Sequence, residues 1–204
     1  MRSKMANNSL LRSISLLAVA FLFCGCVTGY TLVSPTRVRV AHGAMAVSPT
    51  KAWNKSPPTP YDISQEENWT QNGPLLDSIG FIAALPDGAA IARQRPKDDR
   101  KVPVFRASMT PQDLVSMIES FYRIKAGAAV FETTSVVPTT FLGSPAVQLT
   151  YNYVGADEVK RRGRSVAAIV SRKLYLMSLD GAASHYFEAA LPEFESLAIS
   201  AQLL

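Results

Sequence analysis

The chain has 204 residues, with 21 bases against 16 acids for a formal charge of +5, two cysteines and two histidines. Three of the bases (Arg2, Lys4 and Arg12) precede an apolar run with no acid beside them, so the chain from Cys26 onward holds 18 bases and 16 acids. That balance of +2 gives no electrostatic argument for nucleic acid. Two histidines exclude a three-histidine zinc site, and two cysteines confined to Cys24 and Cys26 exclude a disulfide framework in the rest of the chain.

The apolar run extends from Ile14 to Phe23, interrupted by Ser15, behind a basic and acid-free N-terminus. Such a run of about 7–15 residues is the pattern of a secretion signal, and it falls short of the roughly 20 residues a spanning helix needs. It ends in Leu22-Phe23-Cys24-Gly25-Cys26. This ending resembles the lipobox of bacterial lipoproteins, with small Gly25 before the cut; the rival Cys24 has bulky Phe23 before it. The resemblance implies that Cys26 carries a thioether-linked diacylglycerol and an acylated amino group, palmitate-type chains included. Two or more chains anchor a protein stably where one does not. An ordinary cleaved signal and an uncleaved amphiphilic anchor are the alternatives. Val27, rather than an acid, follows the cysteine; by resemblance to Gram-negative sorting rules this places the protein at the outer membrane, facing the periplasm. The expected organisation is a signal peptide at 1–25, a lipidated tether at 26–35 and one domain at 36–204. That length can bury roughly two thirds of its unfolded surface.

Thr36 to Val40 alternates valine with arginine and reads as a half-buried strand. Ala44 to Val47 is its hairpin partner across Ala41-His42-Gly43. Residues 48–66, with Ser56-Pro57-Pro58-Thr59-Pro60, read as a long surface loop, since each proline lacks a donor and constrains its predecessor. Trp53 and Trp69 flank that loop, either packed beneath it or lining a groove. Asn72-Gly73 is a tight-turn dipeptide. Ile79, Phe81, Ala83 and Leu85 share one side of a strand that stops at Pro86-Asp87-Gly88. Arg93 to Lys101 is polar and solvated, and Val102 to Phe105 reads as a short strand.

The clearest helix follows. Thr110 is a good N-cap, Pro111 suits the first helical position, and Asp113 suits the first turn. Leu114, Met117, Ile118, Phe121 and Tyr122 form one apolar stripe, and Gly127 ends the helix. Strands come next: Ala128 to Val137, then Val147 to Tyr153 in strict alternation, then a hairpin of Ser165–Val170 and Leu174–Leu179. The segment from Gly155 to Arg164 reads as a loop whose Lys160-Arg161-Arg162-Gly163-Arg164 cluster is a solvated tip, or a contact for anionic headgroups or an acidic partner. The last stripe, Ala183 to Leu197, is helical, with Asp180 as its cap and Pro192 as a kink or break.

The expected fold class is α+β, an antiparallel sheet with helices packed on it. The order helix, three or four strands, helix resembles the PsbP-like fold, a helix–sheet–helix sandwich, over roughly residues 102–204 and extending to the strands from Ala44 onward. That resemblance implies a non-catalytic binding or assembly role and transfers no site residue. No HExxH, CxxC, G-x-S-x-G or phosphate-cradling glycine motif is present. His185 with Ser184 and Asp180 makes a poor triad, because helical neighbours do not face one another. The Asp98-Asp99 pair sits among bases in a loop. The sequence therefore assigns chemistry to Cys26 alone, as the lipidation site, and gives no catalytic, cofactor or metal residue. It leaves two expectations: a non-enzymatic envelope factor bound to membrane lipid and to a protein partner, or an envelope hydrolase or small-ligand carrier with an open polar pocket between sheet and helix.

Overall fold

The computed structural model describes residues 29–96 and 98–204. The lipidation site assigned to Cys26 and the signal at 1–25 lie outside the described residues. Eleven strands and two α-helices follow in chain order. They are β1 (Thr31–Val33), β2 (Val38–Val40), β3 (Met45–Val47), β4 (Trp53–Lys55), β5 (Glu66–Thr70), β6 (Asp77–Pro86), α1 (Pro111–Lys125), β7 (Val130–Phe141), β8 (Ser144–Val154), β9 (Lys160–Val170), β10 (Lys173–Ala182), α2 (Tyr186–Ser200) and β11 (Gln202–Leu203). Eight strands form one antiparallel sheet in the order β1-β4-β5-β6-β10-β9-β8-β7, and β11-β3-β2 form a small second sheet. The architecture is dominated by sheet, with one helix on each face.

Strand alternation sorts the side chains into two cores. On one face, Ile79, Phe81, Met177 and Leu179 pack with Phe187, Phe194 and Leu197 of α2, with Met45 and Val47 of the small sheet, and with Trp53 and Trp69. On the other face, Ile82, Leu149, Tyr151, Leu174 and Leu176 pack against Leu114, Ile118, Phe121 and Tyr122 of α1. The α1 stripe is a core face, as its spacing requires. Thr110 and Asp113 exchange hydrogen bonds in a full capping box, and Gly127, at φ +61°, follows the helix.

Several elements differ from the sequence reading. Residues 31–33, within the stretch read as tether, form β1 and pair with β4. The surface loop at 48–66 contains β4, whose Trp53 is fully buried; three residues are too short for a pattern to register. The strands read as ending at Val137 and starting at Val147 run on to Phe141 and back to Ser144, joined by a two-residue turn, Leu142-Gly143, with both residues near the left-handed region. Val102 to Phe105 contributes a single bridge, Ala90 to Val104, rather than a strand. Pro192 does not break α2, which runs continuously to Ser200.

The basic cluster is corrected most. It belongs to β9 rather than to a hairpin tip. Arg161 is buried and pairs with Asp157, while Arg162 and Arg164 pair with Glu188 and Glu195 of α2. Alternation along the strand sends Arg161 to the α1 face and its neighbours to the α2 face. Three of the four cations are thus paired, Arg161 buried and Arg162 and Arg164 in ion pairs at the surface, while Lys160 stands exposed.

At Gly163 the chain has no room for a side chain, because a Cβ there would run into the Tyr151 ring. That ring is fully buried between Tyr122 and Phe131. Gly163→Ala is expected to cost about 2 kcal/mol by overpacking, read as a lowered urea midpoint with an unchanged slope.

Candidate functional site

One helix cannot cover an eight-stranded sheet. Fifteen residues make a rod about 22 Å long and about 10 Å wide, whereas eight strands span roughly 35 Å. Helix α1 approaches the sheet most closely over β7 and β8, so over β5 and the neighbouring parts of β6 and β10 the roof is made by loops together with the C-terminal end of α1. Beneath them lies a cavity of about 610 Å³, bounded by the Pro-rich loop at Pro57–Tyr61, the turn Pro74–Leu76, and the C-terminal end of α1. This volume falls within the range of small-molecule sites.

The cavity floor is polar where the same face elsewhere is apolar. Along β10 the α1-facing positions change from Leu174 and Leu176 to Ser178 and Asp180; along β6 they change from Ile82 to Gly80 and Ser78. Register places Asn68, Gly80 and Ser178 side by side across β5, β6 and β10. The absence of a Cβ at Gly80 opens the centre: one built there would lie 2.8 Å from Ser178 Oγ and 3.0 Å from Asn68 Oδ1.

Two acidic groups flank this floor. At one side, Lys125 at the end of α1 donates to Asp62 Oδ1 at 2.7 Å and to Glu66 Oε1, whose side chain is only 3% exposed. Burial raises the Asp62 carboxyl, but the hydrogen bond and charge of Lys125 outweigh it and hold the group below its usual range. At the other side, Tyr122 donates to Asp180 Oδ2 at 2.8 Å. Burial pushes Asp180 up to about 7, against the smaller opposing pull of Tyr122, Tyr153 and Arg161. Burial, with the Asp180 charge second, also raises the phenols of Tyr122, Tyr151 and Tyr153, so they stay protonated donors at neutral pH.

Each acidic group keeps one oxygen free. Glu66 Oε2 and Asp180 Oδ1 are both shut off from solvent and have no hydrogen-bond partner among the described residues. Trp53 Nε1 and Thr133 Oγ1 are likewise buried without a partner among the described residues, although most buried polar atoms in folded proteins are satisfied. The cations nearby are already engaged. Arg161 makes two bonds to Asp157, at 2.7 and 2.6 Å, and one to Leu75 O at 2.8 Å. Arg95 donates to Lys125 O and lies over the Tyr61 ring.

Asp180 was read from the sequence as a helix cap. It lies instead inside β10, facing α1, while the N-cap position of α2 is His185, which makes no side-chain cap bond. His185 and Ser184 are exposed at the start of α2, on the other side of the sheet from the Asp180 carboxylate, so no triad is assembled. His42 is exposed in the turn after β2. Asp98 pairs with Arg100, whose hydrogen bonds hold it at about 2. Among the described residues, no group of three His, Cys, Asp or Glu side chains is arranged to hold a metal ion, and no helix is long and apolar enough to cross a membrane.

No family model matches the chain, and no curated protein is similar to it by sequence. Its fold has clear structural neighbours. CyanoP, the cyanobacterial PsbP of Synechocystis sp. PCC 6803, superposes with a TM-score of 0.57 at 14% identity, over 89% of this chain and 97% of that one. The fold is PsbP-like. Mog1p, a Ran-binding protein of Saccharomyces cerevisiae, gives a TM-score of 0.51 at 7% identity, over 86% and 96% of the two chains. LpqN of Mycobacterium tuberculosis, a protein involved in cell envelope biogenesis, is more distant, with a TM-score of 0.34 at 9% identity over 88% and 87%, and nothing is argued from it. The likeness takes in the 102–204 region and the strands from Ala44 onward to which the sequence pattern extended it. It establishes architecture, and at these identities it carries neither site nor activity to this chain.

Proposed function

We propose that this chain is a non-enzymatic, lipid-anchored protein of the bacterial envelope that holds a small ligand in the cavity between α1 and the sheet. The observation that carries the reading is the cavity of about 610 Å³ with its row of polar floor residues. Of the two expectations drawn from the sequence, only the second, a hydrolase or small-ligand carrier, asks for such an open polar space. The exposed and separated histidines support a binding role over hydrolysis.

The anchor fits this placement. Tyr30 lines the cavity, and Cys26 precedes it by four residues. An extended chain covers at most about 3.6 Å per residue, so a lipid on Cys26 keeps the cavity within about 14 Å of its attachment point. Leu75, at the rim, is 68% exposed, an apolar surface suited to the side that faces the membrane. Val27 after the cysteine favours the outer membrane, with the domain in the periplasm.

Native mass spectrometry of the full chain, extracted from membranes in a mild non-ionic detergent, tests the reading. The wild-type protein is expected to carry a small molecule at one-to-one stoichiometry, in addition to the mass of lipid on Cys26. Gly80→Leu, which fills the cavity floor, is expected to lose the small molecule and keep the lipid. A wild-type protein that carries no ligand under conditions that retain the lipid would contradict the carrier role. Labelling with an alkyne palmitate analogue that persists in Cys26→Ser would contradict the anchor.

A further inference from the structure

The floor at Gly80 specifies the polar group of the ligand, and the inference rests on the carrier reading above. We propose that the cavity takes an uncharged, largely apolar molecule whose alcohol or primary-amide group sits over Gly80, donating to Asn68 Oδ1 and accepting from Ser178 Oγ.

The two strands beside β6 supply the pair. Asn68 of β5 and Ser178 of β10 stand opposite Gly80 from either side. Their oxygens lean over the glycine, to 3.0 and 2.8 Å from the place where a Cβ would be, so one small group above Gly80 reaches both. The Asn68 amide has a fixed sense. Its Nδ2 donates to Glu66 Oε1 at 2.9 Å, and a carboxylate only accepts, so the NH2 end faces Glu66 and Oδ1 is turned toward Gly80. Lys125 holds that same Glu66 oxygen. The buried ion pair at the end of α1 thereby positions the acceptor. Ser178 Oγ is a hydroxyl, which rotates to donate or to accept. Both residues line the cavity, and neither oxygen is among the atoms shut off from solvent without a partner.

The complement of an acceptor beside a hydroxyl is a group that both donates and accepts. An alcohol or a primary amide does so, whereas an ammonium only donates and a carboxylate only accepts. Charge decides in the same direction. Lys125 answers Asp62 and Glu66, Arg161 answers Asp157, and Asp77 is spent on Thr70 and the Gln71 and Asn72 amides. Arg95 lies over Tyr61 and donates to Lys125 O. Asp180 accepts from Tyr122, and its other oxygen is sealed. A charged ligand would give up its water without meeting an unengaged countercharge among the described residues, which is costly.

The next register row provides the apolar wall. Ile82 and Leu176 follow Gly80 and Ser178 along their strands, and Phe121 of α1 belongs to the same cluster and lines the same cavity. The apolar body of the ligand lies along this row. A water takes about 30 Å³ in the liquid, so the cavity of about 610 Å³ holds at most about twenty non-hydrogen atoms.

The test is titration calorimetry on the full chain in a non-ionic detergent, with detergent alone as the blank. The probes are hexanol, hexanamide, hexylammonium, hexanoate and pentyl methyl ether, the isomer of hexanol that lacks a donor. Hexanol or hexanamide is expected to bind about tenfold more tightly than the ether, the order of one hydrogen bond, and both ions are expected to bind more weakly than that preferred probe. The tighter of the alcohol and the amide identifies the ligand group. Gly80→Ala, whose methyl enters the space between the two oxygens, is expected to lower the affinity for that probe about tenfold. Ser178→Ala is expected to lower it about fivefold with an unchanged thermal midpoint. An alcohol and an amide no tighter than the ether, or an ion tighter than both, overturn the assignment and leave the carrier reading standing. Wild-type affinity in Ser178→Ala overturns it as well. If none of the five probes binds, the assignment falls, and the native mass spectrometry above decides the carrier reading separately. If Gly80→Ala fails to fold, the wild-type comparison of hexanol and hexanamide with the ether decides.

Discussion

Lys125→Met is expected to destabilise the fold by about 4 kcal/mol at neutral pH, because it leaves two buried carboxylates without their shared cation. Asp62 and Glu66 have side chains only 6% and 3% exposed, and Lys125 is the cation bonded to both. Asp62 also holds the Pro-rich loop through the Thr59 amide, at 2.7 Å, so the cavity wall should loosen together with the pair. The pH dependence follows from the depressed Asp62 carboxyl. A group lowered in the folded state stabilises above its unfolded value, about 4, and that contribution disappears as the pH falls through the folded value. The gap between wild type and variant should therefore narrow below about pH 4. Urea denaturation from pH 2 to pH 8 reads this directly. Adding Asp62→Asn and Glu66→Gln to Lys125→Met should recover much of the loss, since the buried charges then go with their partner.

Asp180→Asn should act in the opposite direction. The Asp180 carboxyl is raised from 3.8 to about 7, chiefly by burial. For an acid raised in the folded state, the favourable contribution is complete below the unfolded value and is lost as the pH rises through the folded one. Wild type should thus lose stability between about pH 4 and pH 8, by at most about 4 kcal/mol at 1.36 kcal/mol per unit. The amide cannot ionise, and its oxygen still accepts from Tyr122. Its advantage should be near zero at pH 4 and largest at pH 8, seen as thermal midpoints that diverge as the pH rises.

These residues also mark where the sequence was legible. The helix from Pro111 was readable because its cap, its proline and its 3.6-residue stripe agree with one another. The hairpin of β9 and β10 was readable because β-branched and apolar residues run through it, although its length was underestimated at both ends. Where Ser178 and Asp180 interrupt the apolar face of β10, the change looked like the end of a strand and the start of a helix cap. It marks instead where α1 no longer covers the sheet. Lys160 to Arg164 looked like a solvated tip because four bases in five residues seldom fit a strand. Here each of the three arginines finds its own acid.

The cavity itself had no local signature. Glu66 and Lys125 stand 59 residues apart and Tyr122 and Asp180 stand 58 apart, and only strand order brings these groups together. The one available hint was positional. Gly80 and Ser78 in β6, like Ser178 and Asp180 in β10, are small or polar at positions where a continuous core would place Leu or Ile. The Pro-rich loop was placed correctly at the surface, but its role as a roof over that hint depends on β4 and β5 pairing on either side of it.

The central claim is that the space between α1 and the sheet is a ligand site. Backbone amide shifts of the full chain in detergent, recorded against a set of small amines, alcohols and carboxylates, test it most directly. Binders among them are expected to shift Asn68, Gly80, Ser178 and the Phe121–Lys125 end of α1, leaving the α2 face unmoved. Shifts confined to the α2 face or the sheet edges, or none at millimolar concentrations, would contradict it.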